Sequence, residues 1–180
     1  RLDGGLLRMF THHTFYDPLV FRKIRKNFGG KLRFFVSGGA PLDMDSQIFF
    51  KYIGIPMYQG YGLTESSPVI SSDLPENHKV GSAGPLWSWL KPENGGDWTF
   101  KDEQGNLGKD LKGELLVKGA CVMKGYWRHQ DESAKTLKDG WLHTGDMGYV
   151  DADGFLFLDG RQGNMIVLFG GEKLHPEHVE

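Results

Sequence analysis

The order of helical and strand patterns in the first third of the chain most constrains the fold. From Pro18 to Phe28 apolar residues recur at four-residue spacing, which predicts an amphipathic helix. The compact apolar run from Leu32 to Val36 predicts a buried strand. A second helix is predicted from Asp43 to Ile53, with Met44, Ile48 and Tyr52 on one face, and a short strand from Pro56 to Gln59. Helices and strands that alternate in this way are typical of an α/β sheet.

The middle of the chain has a different character. Residues 81–113 are rich in Gly, Pro, Trp and charged residues and show no sustained helical period. Short strands are predicted at Glu114 to Lys118, Val122 to Trp127 and Gly148 to Leu158, with one short helix from Asp131 to Leu137. A turn at residues 151–154 is predicted to join the two arms of a hairpin within the last of these. This part is therefore predicted to form a small β subdomain.

Charge and cysteine content narrow the classes of partner and location. The 180 residues carry a formal net charge of -2, which disfavours nucleic acid as a partner. The single cysteine, Cys121, cannot form an internal disulfide, so a reducing, cytoplasmic location is expected. The basic cluster from Arg22 to Lys26 favours a solvated helix face, and peripheral contact with an anionic membrane is the alternative.

Two glycine-containing segments follow predicted strands and carry groups suited to a nucleotide. In residues 37–42 the glycines allow close backbone approach to a planar or phosphorylated ligand, although an ordinary structural turn fits equally well. The segment from Tyr58 to Glu65 presents an aromatic ring, a hydroxyl and a carboxylate. These groups can stack on a base, donate to a phosphate oxygen and coordinate magnesium. The alternative is a strand-end turn with an exposed Glu.

Two later segments add charged groups. Asp146 directly follows a glycine, and its carboxylate could accept both hydrogen bonds from a ribose diol, although Gly-Asp pairs are also common in ordinary turns. Arg161 ends a predicted strand with a guanidinium that could bridge ribose or phosphate oxygens, or could form a surface salt bridge.

The four segments, in this order and at this spacing, resemble the adenylate-forming superfamily of acyl-CoA synthetases, luciferases and peptide-synthetase adenylation domains. The most specific stretches are YGLTE, GELLVKG with VMKGYW, GWLHTGD, and GR followed by GGEKLHPEHVE. The opening residues 17–42 look most like the long-chain fatty acyl-CoA synthetases. The resemblance implies an α/β fold comprising the end of the large N-terminal domain and the start of an α+β C-terminal domain. The expected parts are residues 1–79 of an α/β nucleotide-binding subdomain, a small β-barrel-like subdomain over 80–160, and a hinge and truncated lid domain over 161–180.

The resemblance also implies roles for individual residues around a nucleotide. Gly39, Ala40 and Pro41 match the loop that lines the adenine pocket, and Tyr61 matches the ring that packs on adenine. The positions that border the meeting point of nucleotide and acyl carboxylate are Gln59, Gly60 and Gly62.

The remaining matches concern phosphate, metal, ribose and thiol. Thr64 would hold the α-phosphate, and Glu65 would bind the magnesium ion. Asp146 and Arg161 match the pair that grips the ribose hydroxyls. The loop that serves the second half-reaction is matched by Gly170 and Gly171.

The implied activity is ATP-dependent activation of a long-chain fatty acid to an acyl-adenylate, followed by transfer to coenzyme A. Another carboxylic acid, an acyl carrier protein as acceptor, and a noncatalytic nucleotide-binding or interaction module are the alternatives. The superfamily's phosphate loop and its catalytic lysine have no counterpart in the 180 residues. We therefore expect no enzymatic rate of ATP-pyrophosphate exchange from this chain alone, and robust exchange in that assay would contradict the expectation.

Overall fold

Two β-sheets, formed by successive parts of the chain, make up the framework that carries the polar segments. The structure, a computed structural model, describes residues 20–40, 42–161, 163, 166–167 and 173–174. The α-helices among these residues are α1 (Arg22–Asn27), α2 (Met44–Tyr52) and α3 (Gln130–Thr136). The first strands in chain order are β1 (Phe35–Ser37), β2 (Met57–Gly62), β3 (Val69–Ser72), β4 (Asp97–Lys101) and β5 (Leu107–Gly108). The later strands are β6 (Gly113–Lys118), β7 (Leu137–Lys138), β8 (Trp141–Val150), β9 (Leu156–Arg161), β10 (Ile166–Val167) and β11 (Lys173–Leu174).

The first sheet is mixed, and the second is antiparallel. In the first, β1 pairs in parallel with β2, and β2 pairs in antiparallel fashion with β3. The second has the order β5-β4-β6-β8-β7, with β9 paired to β8, and a separate pair joins β10 to β11. This mixed architecture confirms the α/β class predicted from the sequence. Within the described residues, no helix is both long enough and apolar enough to cross a bilayer.

The main apolar core lies against the second sheet. Strand β6 is buried from Gly113 to Val117, as expected for a strand with neighbours on both edges. Ile70 from the first sheet joins this core, so the two sheets share apolar contacts. The other fully buried or nearly fully buried members of the cluster are Ala83, Leu90, Phe100, Leu115, Val117, Leu142 and Leu156.

The strand predicted after α1 is present, but the prediction that it is buried was wrong. The strand forms at Phe35–Ser37, but Val36 is 69% exposed. Among the described residues, β1 pairs only with β2 and leaves its outer edge uncovered. The predicted apolar face of α2 is likewise exposed at Met44, Ile48 and Tyr52, whereas Gln47 is buried at 2% exposure.

The prediction of a strand from Val122 to Trp127 was also wrong. This segment is irregular backbone with bends, and two glycines with positive φ flank and interrupt it: Gly119 at 154° and Gly125 at 144°. Its backbone does not join a ladder, because the N–H of Met123 donates to the carbonyl oxygen of Glu65 at 2.8 Å. The apolar run therefore connects the two sheets and adds no strand to either of them.

The predicted hairpin arm that started at Gly148 is longer than expected. Strand β8 begins at Trp141, so the GWLHTGD motif lies almost entirely in a strand and not in a turn. The turn predicted at residues 151–154 does join the two arms, because Oδ1 of Asp151 accepts the N–H groups of Asp153 and Phe155 at 3.0 and 2.9 Å.

Lys79 ties the connection after β3 to the turn between β8 and β9. Its ammonium donates to Asp151 and, at 2.7 Å, to Asp153. Hydrogen bonds from Lys79 and from the N–H of Phe155 lower the pKa of Asp151 below its ordinary value of 3.8. A carboxylate with a lowered folded-state pKa stabilises the fold above its unfolded-state pKa and loses that contribution as the pH falls through the folded-state value.

We expect Asp151→Asn to reduce the acid sensitivity of the fold. The Asn side chain keeps the oxygen that accepts from the turn backbone but removes the titrating charge that faces Lys79. The melting temperature should therefore fall less between pH 7 and pH 3 in the variant than in the wild type. Asp153→Asn is the matched control, since its carboxylate also pairs with Lys79 but is 71% exposed. Equal pH slopes for the wild type and Asp151→Asn would contradict the assignment.

Candidate functional site

The loop after β1 and strand β2 meet at one edge of the first sheet. Because β1 and β2 are parallel, with Ser37 opposite Gln59, their carboxyl ends lie side by side. Gly39 and Ala40 follow β1 directly and are exposed at this edge. The side-chain oxygen of Gln59 accepts a hydrogen bond from the N–H of Leu42 at 3.3 Å, which ties the loop to the neighbouring strand.

A cavity of about 320 Å³ lies where this edge faces the second sheet. Residues far apart in the sequence line it, since positions 59 to 63 come from the first sheet and positions 146 to 161 from β8 and β9. Eight residues singled out from the sequence line it: Gly39, Ala40, Gln59, Gly60, Tyr61, Gly62, Asp146 and Arg161. The structure thus brings together segments that the sequence reasoning had treated separately.

Asp146 is the electrostatic centre of this cavity. Its carboxylate is nearly buried at 7% exposure and accepts two charged or polar donors. The hydroxyl of Tyr61 donates to Oδ2 at 2.7 Å, and Nε–H of Arg161 donates to Oδ1 at 2.9 Å. Two ionised oxygens offer about four acceptor sites, so the carboxylate keeps capacity for two further donors.

The partners of Asp146 are held in single protonation states. Burial, followed by the nearby charge of Asp146, raises the pKa of Tyr61 well above its ordinary value of 10.0. The hydrogen bond to Asp146 raises the pKa of Arg161 further above that of a free guanidinium. Near neutral pH the cavity therefore presents a fixed neutral phenol and a fixed cation beside one carboxylate.

A tight turn after β2 carries the hydroxyl and carboxylate of the YGLTE motif. Thr64–Ser66 form a short 3₁₀ helix, and Ser67 follows it in the left-handed region with φ of 60°. The buried hydroxyl of Ser66 lies 2.9 Å from the carbonyl oxygens of both Leu63 and Pro68, which share its single donor, and it accepts the N–H of Leu63 at 3.1 Å. This internal hydrogen bonding holds the turn between β2 and β3, where Gly62 pairs with Val69.

Glu65 is held from two sides by the connection that follows β6. The Tyr126 hydroxyl donates to Oε1 of Glu65 at 2.7 Å, and the N–H of Met123 donates to the Glu65 carbonyl at 2.8 Å. The hydrogen bond to Glu65, together with burial, raises the pKa of Tyr126 above 10.0. The carboxylate of Glu65 is therefore fixed in direction by a neutral phenol.

A second, polar cavity of about 720 Å³ adjoins the first. Leu63 and Arg161 line both cavities, and Glu65 lines only the larger one. Thr64 is exposed and lines neither cavity, although it lies in the same turn as Glu65. Glu65 and Asp146 therefore line different cavities, and Arg161 lines both.

Three of the sequence-predicted site residues lie outside the described residues. They are Pro41, Gly170 and Gly171.

Three polar side chains of the larger cavity had been given no role from the sequence. Tyr126, Glu114 and His143 all line this cavity. Tyr126 lies in the VMKGYW stretch, and Glu114 is the second residue of GELLVKG, so both occur in motifs whose roles were unspecified. A pattern of residue types gives no information on which hydroxyl reaches a carboxylate 61 positions away.

We expect Tyr126→Phe to lower the free energy of unfolding by about 1 kcal/mol, since it deletes one hydrogen bond to a charged acceptor that is partly exposed. Urea unfolding followed by circular dichroism measures the change. The matched control is Tyr149→Phe, whose ring stacks on Phe157 at 5.3 Å and whose hydroxyl has no hydrogen-bond partner among the described residues. If Tyr126→Phe lowers the free energy of unfolding no more than Tyr149→Phe does, the contact with Glu65 is contradicted.

Comparisons with known proteins show which family carries this arrangement. The sequence profile of the AMP-binding enzyme family matches residues 6–127. The long-chain-fatty-acid–CoA ligase FadD15 of Mycobacterium bovis is 39% identical over 177 residues, which cover 98% of this chain and 27% of the relative. The chain belongs to the AMP-binding enzyme family.

Solved structures of AMP-binding enzymes superpose on the described fold. The anthranilate CoA ligase AuaEII, in complex with anthranoyl-AMP, matches with a TM-score of 0.72 and 27% identity over 84% of this chain and 28% of its own. O-succinylbenzoate coenzyme A synthetase (MenE) from Bacillus subtilis, in complex with ATP and magnesium ion, matches with a TM-score of 0.68 and 32% identity, covering 82% of this chain and 30% of its own. The chain spans about 27% of the length of the FadD15 relative.

Proposed function

We propose that this chain supplies the adenosine-binding part of an acid–CoA ligase that activates a long-chain fatty acid. The observation that carries the proposal is the cavity in which Asp146, held by Tyr61 and Arg161, faces Gly39 and Ala40. Asp146 would accept the two ribose hydroxyls, and the exposed glycine loop would allow adenine to approach the backbone.

The geometry around Tyr61 supports a role in orienting the base. Its hydroxyl is fixed on Asp146 at 2.7 Å, so the ring cannot rotate freely about its side chain. A fixed aromatic ring beside the ribose acceptor offers a surface on which adenine can pack. Base and ribose would then be recognised by two residues that hold each other in place.

The proposed reaction has two displacements. A carboxylate oxygen of the fatty acid attacks the α-phosphorus of ATP, the bond to the β-phosphate oxygen breaks, and acyl-adenylate and pyrophosphate form. The thiolate of coenzyme A then attacks the acyl carbonyl carbon, and AMP leaves with the electron pair. Thr64, which is exposed in the same turn as Glu65, would hold the α-phosphate. Arg161, which lines both cavities, would place positive charge between ribose and phosphates.

Glu65 fits the requirements of a magnesium ligand. It is a hard oxygen donor in a polar cavity, and Tyr126 holds it in one direction. Among the described residues no three His, Cys, Asp or Glu side chains gather to bind a metal by themselves. Magnesium commonly uses one or two carboxylates together with substrate phosphates, so a single Glu is sufficient. When bound, the ion would neutralise charge on the phosphates.

Binding of AMP to the 180-residue chain tests the nucleotide part of the proposal. In a ¹⁵N NMR titration, AMP should shift signals of Gly39, Gly60 and Tyr61, and GMP should shift them less. Shifts scattered over the surface, or equal shifts with both nucleotides, would contradict an adenosine site. AMP binding by this chain alone would also fit a noncatalytic nucleotide-binding module.

The identity of the carboxylic acid substrate is tested on a full-length enzyme of this family that contains this chain. Each buried methylene contributes about 0.8 kcal/mol, so kcat/KM should rise about fourfold per added methylene up to the length of the acyl pocket. A ligase for an aromatic acid is the second candidate, because structures named for anthranilate and O-succinylbenzoate ligases superpose on this chain. In that case benzoate derivatives would exceed every fatty acid. Exchanging coenzyme A for an acyl carrier protein in the same assay distinguishes the thiol acceptors.

A further inference from the structure

The ladder between β6 and β8 is broken at the point where Asp146 enters the smaller cavity. Glu114 is paired with Met147, and Leu116 is paired with His143. Leu115 alone therefore faces the three residues 144–146 of β8. Extra residues in one strand re-aim side chains and leave backbone groups without ladder partners.

Two side chains satisfy the backbone groups that this bulge leaves unpaired. The hydroxyl of Thr144 donates to the carbonyl oxygen of Leu115 at 2.7 Å and accepts the N–H of Asp146 at 3.1 Å. Oε1 of Glu114 accepts the N–H of Gly145 at 3.1 Å. Glu114 and Thr144 are each 8% exposed, so water has little access to replace them. Unpaired buried backbone groups are costly, which makes these contacts structurally decisive.

We propose that Glu114 and Thr144 are positioning residues that set the bulge and thereby aim Asp146 at Tyr61 and Arg161. Gly145 lies between them with φ of 73°, a conformation that other residues adopt rarely. Burial alternates regularly along β8 through the bulge, at Leu142, Thr144 and Asp146, so the two contacts hold Asp146 on the face where its carboxylate meets both donors. The inference rests on the proposed ribose-binding function of Asp146 for its consequence in ligand binding, but its geometric part stands without a ligand.

A simpler role for Glu114 would be charge pairing with His143, whose Nδ1 lies 3.1 Å from Oε2. The two roles predict different behaviour for Glu114→Gln. The Gln carbonyl oxygen can still accept the N–H of Gly145, although the negative charge facing His143 is lost. Glu114→Ala removes both contacts. The corresponding variants of Thr144 are Thr144→Ser and Thr144→Val. Thr144→Ser keeps the hydroxyl, whereas Thr144→Val keeps the side-chain shape but removes the hydroxyl.

The ligand-free test follows the Nε–H signal of Arg161 by ¹⁵N NMR in the 180-residue chain. Its hydrogen bond to Asp146 should slow exchange with water in the wild type, Glu114→Gln and Thr144→Ser. Exchange should accelerate about tenfold or more in Glu114→Ala and Thr144→Val, since their Asp146 carboxylate loses its fixed direction. Glu132→Ala, which removes an exposed carboxylate on α3, is the charge-matched control and should leave the rate unchanged.

The ligand test compares AMP with 2′,3′-dideoxy-AMP. In the wild type AMP should bind about tenfold or more tightly than the dideoxy nucleotide, because Asp146 accepts the missing hydroxyls. In Glu114→Ala and Thr144→Val this ratio should fall toward one, with dideoxy-AMP affinity changed less than about twofold. A general loss of structure would weaken both nucleotides equally.

Each outcome separates the inference from the proposed function. Unchanged Arg161 exchange in folded Glu114→Ala and Thr144→Val overturns the inference. Acceleration in Glu114→Gln as large as in Glu114→Ala overturns the backbone role of Glu114 in favour of charge pairing. If Glu114→Ala does not fold, the Glu114→Gln and Thr144→Val results decide. Absence of AMP binding in the wild type rejects the proposed function, while the exchange rates still decide the geometric assignment.

Discussion

Replacing Asp146 with Asn is expected to weaken AMP binding about 10- to 150-fold. Hydrogen bonds to a charged acceptor contribute about 1.5–3 kcal/mol, and each 1.4 kcal/mol is a factor of ten in affinity. Asn has nearly the same shape, but its single oxygen cannot accept from Arg161, Tyr61 and two ribose hydroxyls together. The arrangement that holds the ribose should therefore fail although the fold persists. Isothermal titration of the 180-residue chain with AMP measures the change.

Asp159→Asn is the matched control for this experiment. Asp159 lies on β9, two residues before Arg161, and its carboxylate pairs with Lys112 at 2.6 Å. The same loss of one negative charge there should change AMP affinity by less than about twofold. Equal weakening by the two substitutions would mean that Asp146 acts through overall charge. Unchanged affinity in Asp146→Asn would remove the carboxylate from the binding site altogether.

Gly62→Ala is expected to destabilise the fold by about 1–3 kcal/mol or more, as forced overpacking does. A Cβ atom at this position would lie 1.8 Å from the carbonyl oxygen of Pro68, so the turn after β2 would have to open. The same turn carries Glu65, and the Ser66 hydroxyl that closes it is bonded to Pro68. Urea unfolding measures the stability loss. The Tyr126 signals in NMR should move with it, because the Glu65 contact depends on the turn.

Gly60→Ala provides the comparison for Gly62. These glycines are two positions apart in β2 and line the same cavity. At Gly60 the nearest atom to an added Cβ would be the Ser71 carbonyl oxygen at 3.8 Å, an ordinary contact distance. Its stability should change by less than about 1 kcal/mol. If the two variants lose equal stability, the cause is strand propensity and not the fold-back of Pro68.

Helices and strands with a regular apolar periodicity could be predicted from the sequence, whereas which of their faces are buried could not. The spacing of apolar residues correctly indicated α2, and Asp43 caps it by accepting the N–H of Ser46 at 2.8 Å. The exposure of Val36 did not follow from its apolar character, because burial depends on neighbouring elements and not on the residue itself. The same limit explains why Val122–Trp127 looked like a strand. Local propensity favours extended backbone there. The positive φ of Gly125 and the hydrogen bond from Met123 to Glu65 instead make the backbone bend.

The candidate site was predictable as a set of residue types but not as a geometry. Asp146 and Arg161 were paired through resemblance, and the register of β8 and β9 places them opposite each other. The Tyr61 hydroxyl on Asp146 was not foreseen, because it joins strands of different sheets across 85 positions. The bulge opposite Leu115 was also missed, since a Thr-Gly-Asp sequence is compatible with an ordinary turn.

The position of Tyr61 in one sheet and Asp146 in the other has a thermodynamic consequence. Their hydrogen bond is one of the tethers across the seam between the sheets, together with the Glu65 contacts and the Lys79 pairs. A nucleotide held in the seam would touch both sheets at once and act as an additional tether. Its binding free energy would then oppose separation of the sheets, by about 2.7 kcal/mol when the ligand is at 100 times its Kd.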